Sequence, residues 1–203
     1  LKLYYSPASP FARKVLVVMH ETGQTGDVAL VEVATTPARP SEELRAQNPL
    51  AKLPALARDE GPAIYDSRVI CGYLDDRAKA GLYGTGPAQW EMKTLEATCD
   101  GILDAAVLMV YEGRVRPEDK QFDGWVDAQW GKVTGGLAAL DARWMSHLEG
   151  SLNIGQIAVG CALGYLDFRH GPRDWRSIAP NLATWYEAFS TRPSMVATAP
   201  PSH

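Results

Sequence analysis

Three short stretches of this chain set hydroxyls, a carboxylate and spare backbone groups beside the starts of helices and strands. The first is Tyr5-Ser6-Pro7-Ala8-Ser9-Pro10-Phe11. A strand pattern ends at Tyr5, and a helical one begins directly after two Ser-Pro steps. Ser9 therefore falls at a helix N-cap and Pro10 at the first helical position, where its missing N–H is no loss. A hydroxyl there can close off a free backbone N–H, or donate to an anion held at the positive helix end. The second stretch is Lys52-Leu53-Pro54. A trans Pro54 simply opens an edge strand; a cis Pro54 bends the chain and leaves the Leu53 backbone free to bond an extended peptide. The third is Asp66-Ser67. Ser67 can offer a hydroxyl and a helix-end N–H to a carboxylate while Asp66 accepts from an ammonium, which together match an amino-acid head group. The same pair also reads as a plain helix cap.

The elements that must position these groups alternate over the first seventy-odd residues. Leu1, Leu3 and Tyr5 alternate with Lys2 and Tyr4, the period of a strand. Residues 11–22 carry Val15, Val18 and Met19 on one helical face and stop at Gly23. The run 28–33 is β-branched and apolar, a second strand expected to have a mostly buried face. Strand, helix and strand with short loops make a βαβ unit with parallel strands. A short helix is expected at 41–46, ended by Asn48-Pro49. Residues 55–57 and 63–65 read as a hairpin, and Ser67 opens a helix with Ile70 and Leu74 in its apolar stripe. The expected order of the first part is thus βαβ followed by ββα.

Composition shifts near Lys79, where Gly81, Gly84, Gly86 and Pro87 mark a linker at 78–87 between a domain 1–77 and a domain 88–203. Beyond it the stripes are helical, over 90–113 and 125–145. Leu152-Asn153-Ile154-Gly155-Gln156-Ile157 fits a capping box, with Asn153 as N-cap, Gln156 as its reciprocal partner, and Leu152 and Ile157 as a hydrophobic staple. Residues 158–166 are small and apolar nearly all round, as suits a helix wrapped by others. A last helix is expected at 181–189, with order ending at Arg192-Pro193-Ser194. The second domain is an all-α bundle around one buried helix.

Composition excludes several functions. A chain of 203 residues, 46% hydrophobic, has enough apolar mass for two small cores. Its formal charge of −4, without basic runs, does not suit nucleic acid or an anionic membrane. No apolar stretch approaches a membrane span, and residues 1–9 lack the apolar core of a signal peptide. Cys71, Cys99 and Cys161 form no C-x-x-C pair, which points to buried thiols in a reducing, cytoplasmic setting. The four histidines show no ligand spacing, and no metal is expected.

In their joint order, these pieces resemble the cytosolic glutathione S-transferase superfamily over essentially the whole length, in its bacterial form with a serine at the active-site position. The resemblance is carried by Ser9-Pro10-Phe11 with Arg13-Lys14-Val15, by Asn48 to Leu56, by Tyr65-Asp66-Ser67-Arg68-Val69-Ile70, by Asn153 to Ala158, and by Arg192-Pro193-Ser194. It implies a thioredoxin-like first domain that binds glutathione and a helical second domain that lines a pocket for a small hydrophobic electrophile. By the same resemblance, Leu53 before a cis Pro54 pairs with the cysteinyl part, Asp66 and Ser67 hold the γ-glutamyl head, and Lys52 is a candidate for the glycine carboxylate. Ser9 stands where relatives place their catalytic serine or cysteine, and Tyr5 is its rival as sulfur donor. Phe11, Tyr111 and Arg114 are the candidates for the electrophile pocket, and a homodimer is expected. Relatives commonly carry Asp where this chain has Gln156, and a neutral amide can still make the reciprocal bond.

The chemistry required of Ser9 has a size. A free thiol titrates near 8.5, so moving a bound thiol about two pH units lower takes roughly 2.7 kcal/mol of differential stabilisation. One charge-assisted bond together with a helix end can supply that. Three activities remain open on the sequence: conjugation of an electrophile, glutathione-dependent disulfide or peroxide reduction, and a non-catalytic binding role on the same fold.

Overall fold

The computed structural model describes residues 1–201 of the chain. Its sheet is small. Strand β1 (Lys2–Tyr5) lies between β2 (Ala29–Glu32), which is parallel to it, and β3 (Ala55–Ala57), which is antiparallel. The parallel pairing follows from helix α1 (Pro10–Glu21), which carries the chain back from the end of β1 to the start of β2. Tyr5 stands opposite Glu32, and Tyr4 stands opposite Ala55.

Two faces of the sheet are covered by different elements. Leu3 packs with Val15 and Val18 of α1 and with Ile70 and Leu74 of helix α3 (Ser67–Ala78) in the main core. Tyr4 points the other way, into a second cluster with Val33, Leu44 and Ala55, closed by helix α2 (Glu42–Gln47). The period of two that sorts Leu3 from Tyr4 thus decides which helix each one meets.

Several expectations change. The run 28–33 was expected to bury most of one face; Val28 and Val33 are buried, but Leu30 is 49% exposed and β2 is a sheet edge. An edge strand has a neighbour on one flank only, so apolar composition alone does not cover it. The hairpin shrinks to a single bridge, Leu56 to Ile64, with both of its backbone bonds at 2.9 Å. Within the segment 78–87, the Leu82 and Tyr83 N–H groups donate to the Asp75 carboxylate at 2.8 and 3.2 Å.

The helical half holds α4 (Ala88–Val115) and α5 (Asp123–Arg143), followed by the single turn α6 (Met145–Leu148), so the stripe expected to run to 145 breaks after Arg143. Helix α7 (Ile154–His170) is the central one, and every residue from Ile154 to Leu166 is buried. The capping box is formed: the Gln156 N–H donates to Asn153 Oδ1, and the Asn153 N–H to Gln156 Oε1, each at 3.1 Å. Gln156 Nε2 also donates to the carbonyls of Leu148 and Gly150, at 2.9 and 3.1 Å. A carboxylate could not make those bonds, so the amide adds a tie to the preceding loop. The chain closes with the turn α8 (Trp175–Ile178), α9 (Pro180–Phe189) and α10 (Pro193–Ala197). Order therefore continues past Ser194. Glu21 at the end of α1 holds this last helix through a two-pronged pair with Arg192, both bonds at 2.9 Å, and a bond from the Ser194 hydroxyl.

Candidate active site

Strand direction brings the three stretches together. Strand β1 ends at Tyr5 while β3, running the opposite way beside it, begins at Ala55. Ile64 pairs antiparallel with Leu56, so the segment leading to Asp66 leaves at that same end. The Ser9 loop, Leu53-Pro54 and Asp66-Ser67 therefore emerge side by side from neighbouring positions across the sheet. Strands lie about 4.8 Å apart, so the three span on the order of 10 Å, about the length of an extended tripeptide.

The groups at each position are as follows. Ser9 is the N-cap of α1, and its Oγ accepts from the Ala12 N–H at 3.2 Å. That bond uses an acceptor lone pair and leaves the hydroxyl proton to donate. The Leu53–Pro54 peptide is cis, and the Leu53 N–H and C=O have no protein partner among the described residues. The loop before it is braced by Asn48, whose side chain accepts from the Leu50 N–H at 3.0 Å and donates to the Lys52 carbonyl at 2.8 Å. The Lys52 residue itself is exposed. Asp66, not Ser67, caps α3, accepting from the Arg68 N–H at 3.0 Å. Burial pushes the Asp66 carboxyl up, but the hydrogen bonds and charge of Arg68 outweigh that and hold it below the usual range. Ser67 is 2% exposed, and its hydroxyl makes no hydrogen bond to protein among the described residues.

The rival donor and the electrophile candidates separate. Tyr5 lies on the α1 face of the sheet, half-buried against the main core. Phe11 is likewise packed on that core and borders neither of the hollows near Ser9. Ser9 lines a narrow crevice with Pro7, Arg13, Cys161, Tyr165 and Phe168. Tyr111 and Arg114 come from the last turns of α4, and Tyr165 is close enough to both for their charges to act on its phenol. Burial comes first for that phenol and pushes it up to about 12.

Arg13 and Tyr165 also line the crevice; neither was given a role from the sequence, although Arg13 falls in a stretch that carries the family resemblance. Arg13 is buried one turn into α1, with Nη2 donating to the Met195 carbonyl at 3.0 Å and Nε unpartnered among the described residues. Gly164 makes room for it: a Cβ there would overlap Arg13 Nη1 and sit 2.7 Å from the Tyr186 hydroxyl. An arginine following an N-cap serine, together with a glycine in an otherwise filled apolar helix, was the available signal. Cys161, also in the crevice wall, is fully buried, and burial pushes its thiol up to about 11.

A small mixed sheet with this cis-proline loop, joined to an all-helical half, is the architecture of a thioredoxin-like domain carrying a helical partner. Comparison with known proteins agrees. Residues 3–82 match the family model "Glutathione S-transferase, N-terminal domain", and residues 123–188 match "Glutathione S-transferase, C-terminal domain". The chain is 46% identical to a glutathione transferase family member from Pseudomonas fluorescens Pf-5 crystallised with bound glutathione, with 99% of each chain covered and a TM-score of 0.96. A structure from the same organism with bound S-(propanoic acid)-glutathione is 45% identical, with all of both chains covered and a TM-score of 0.91. The GST-like protein YibF of Escherichia coli K12 is 30% identical over 205 residues, 99% of each chain. The chain belongs to the glutathione S-transferase family.

Proposed function

We propose that the protein is a glutathione transferase in which bound glutathione, as its thiolate, attacks a small electrophile, with Ser9 donating to the sulfur. The observation that carries this is the set of complementary groups at one sheet end. Free backbone at Leu53 suits the cysteinyl unit, the Asp66 carboxylate and Ser67 suit the amino-acid head, and the Ser9 hydroxyl sits at a helix start. Lys52 stands next to Leu53, available to the glycine carboxylate. The bound glutathione of the Pseudomonas fluorescens relative supports the ligand, and its bound S-(propanoic acid)-glutathione supports a site that also holds a thioether. Glutathione loses its thiol proton on binding; the sulfur pair then forms the bond to carbon. Ser9 is a donor throughout and need not ionise. Cys161, kept protonated by burial, gives no support to a mixed-disulfide route through the protein. A homodimer and a cytoplasmic setting belong to the same proposal.

Calorimetry with glutathione, then ultraviolet titration of the bound thiolate, tests the reading. Ser9→Ala is expected to lower kcat/KM roughly ten- to hundred-fold and to raise the pH of thiolate formation by about one to two pH units. Tyr5→Phe should leave that pH where it was. The reverse pattern would move the donor role to Tyr5, and absence of glutathione binding would remove the transferase reading altogether.

A further inference from the structure

The wall that faces Ser9 across its crevice belongs to α7. Ser9, Pro10 and Arg13 line one side from the start of α1, while Cys161, Tyr165 and Phe168 line the other at helical spacing. Cys161 on that wall is fully buried. Tyr165 is different. The residue is only 6% exposed, yet its hydroxyl makes no hydrogen bond to protein among the described residues. Its oxygen, unlike Arg13 Nε, is not sealed from open space. A phenol buried this deeply ordinarily has a partner for its hydroxyl.

The neighbours of the ring show from which side that partner comes. Tyr165 meets Phe168 edge-on at 6.4 Å and His170 edge-on at 6.2 Å. Both of these border a cavity of about 500 Å³ between the C-terminal half of α4 and the end of α7. Arg114 and Arg169 line the same cavity, and their charges, with that of Tyr111, act on the Tyr165 phenol. Tyr165 thus stands where the narrow crevice gives onto the wider cavity, on the wall opposite Ser9. Burial is the largest influence on the phenol and keeps it protonated through the working pH range. A neutral phenol is a hydrogen-bond donor.

We infer that Tyr165 is a second catalytic donor, and that the electrophile is an α,β-unsaturated carbonyl compound whose oxygen it binds while Ser9 holds the sulfur. This rests on the transferase reading and names the substrate class for the same site. The reaction uses donors on opposite walls. The sulfur pair forms the C–S bond at the β-carbon, the C=C pair moves between the α-carbon and the carbonyl carbon, and the carbonyl π pair settles on oxygen. Charge therefore appears three bonds beyond the attacked carbon, away from Ser9 and on the side where Tyr165 donates. A donor aimed at charge that develops during the step binds the transition state better than the ground-state carbonyl. Water then protonates the α-carbon and the ketone re-forms. The hydroxide left behind takes up the proton that glutathione released on binding. Displacement of a halide builds no charge on an oxygen of the substrate, so it gains nothing from Tyr165.

Tyr165→Phe removes only the hydroxyl, and the test compares it with the parent on 4-phenyl-3-buten-2-one and on benzyl chloride. With the enone, kcat/KM should fall roughly ten- to hundred-fold; with the chloride it should change less than about two-fold. The pH of thiolate formation should stay where it was. An equal loss on both probes, or no loss on the enone, overturns the inference while conjugation itself stands. A raised pH of thiolate formation also overturns it, because the hydroxyl would then serve the sulfur. So does a parent protein that turns over the chloride and not the enone. Where the chloride is not turned over, titration calorimetry decides with two thioethers. One is S-(1-phenyl-3-oxobutyl)-glutathione, the adduct of the enone; the other is S-(1-phenylbutyl)-glutathione, which lacks the oxygen. The parent should bind the ketone about five-fold tighter, and Tyr165→Phe should lose that gap. Equal affinities in the parent, a gap that survives in the variant, or binding of neither thioether overturns the second donor. Failure of glutathione itself to bind overturns the transferase reading and the donor with it.

Discussion

At the scale of single residues, the least expected participant is Arg13. It is 7% exposed, its Nη2 donates to the Met195 carbonyl, and its Nε has no partner among the described residues. A buried cation left partly unsatisfied is costly unless a negative charge comes near. Arg13 shares the crevice with Ser9, so a bound thiolate is the charge that would compensate it. Arg13→Met is then expected to raise the pH at which glutathione ionises on the protein by about one pH unit. Arg13→Lys should recover part of that, because the charge stays while the fork is lost. The titration is done at saturating glutathione, so weaker binding does not mimic the effect. An unchanged ionisation in Arg13→Met would leave this side chain a purely structural tie to the C-terminal segment.

At the scale of elements, the question is what makes α7 the axis of the helical half. Glycine inside a helix is ordinarily a loss of up to about 1 kcal/mol relative to alanine, so replacing it should help. Whether it does depends on space. At Gly160 a Cβ would lie 2.5 Å from the ring of Phe189, which is stacked 4.5 Å from Trp185 and cannot swing away. At Gly131, on the outer side of α5, a Cβ would meet nothing within 4 Å. Gly160→Ala should therefore destabilise by about 1–3 kcal/mol through overpacking, and Gly131→Ala should stabilise by about 0.5–1 kcal/mol. Urea midpoints of the two variants check both signs, and a stabilised Gly160→Ala would show that the helices can separate at no cost. Elements of this kind also mark how far sequence reading reaches. The Ser9 cap and the Asn153–Gln156 box were legible because their partners lie within three residues, and short-range geometry fixes them. The coverage of β2 was not, because burial depends on which strand ends at the sheet edge. The short helices α8 and α10 went unseen because packing, more than their own few residues, holds them. The Ser9 crevice joins the start of α1 to α7, and no local pattern records that meeting.

At the scale of the whole molecule, the two halves are joined by a buried ionic chain. Lys14 of α1 has no exposed surface, and its Nζ donates to Glu96 at 2.9 Å and to Asp100 at 2.8 Å, both on α4. The Tyr83 hydroxyl donates to Glu96 at 3.1 Å. Arg68 lies 3.6 Å from Asp100 and 2.9 Å from Asp66, so the chain ends at the proposed head-group site. Burial alone would lower the pKa of Lys14, but Asp100, Cys71 and Glu96 outweigh it and hold the amine charged well above an ordinary lysine. Such a raised pKa stabilises the fold below the unfolded value of about 10.4, and the benefit fades only as pH climbs through the folded value. Lys14→Met leaves two buried carboxylates without their cation, at a cost of about 3–5 kcal/mol near neutral pH. Asp100, whose carboxyl burial already pushes up, would then hold its proton more tightly folded than unfolded. Between roughly pH 4 and that raised folded pKa, the native variant binds more protons than the unfolded chain, so its stability falls as pH rises. Urea unfolding at about pH 5.5 and about pH 8 should thus show a smaller loss at the acid end and a larger one at the alkaline end. A loss that is the same at both, or below about 1 kcal/mol, would mean the carboxylates find other partners and the halves are held by apolar packing alone. If the pH trend appears, glutathione affinity becomes its functional readout. Arg68 carries the disturbance from Asp100 to Asp66, so the variant should bind glutathione more weakly even though Lys14 lies outside the proposed peptide site.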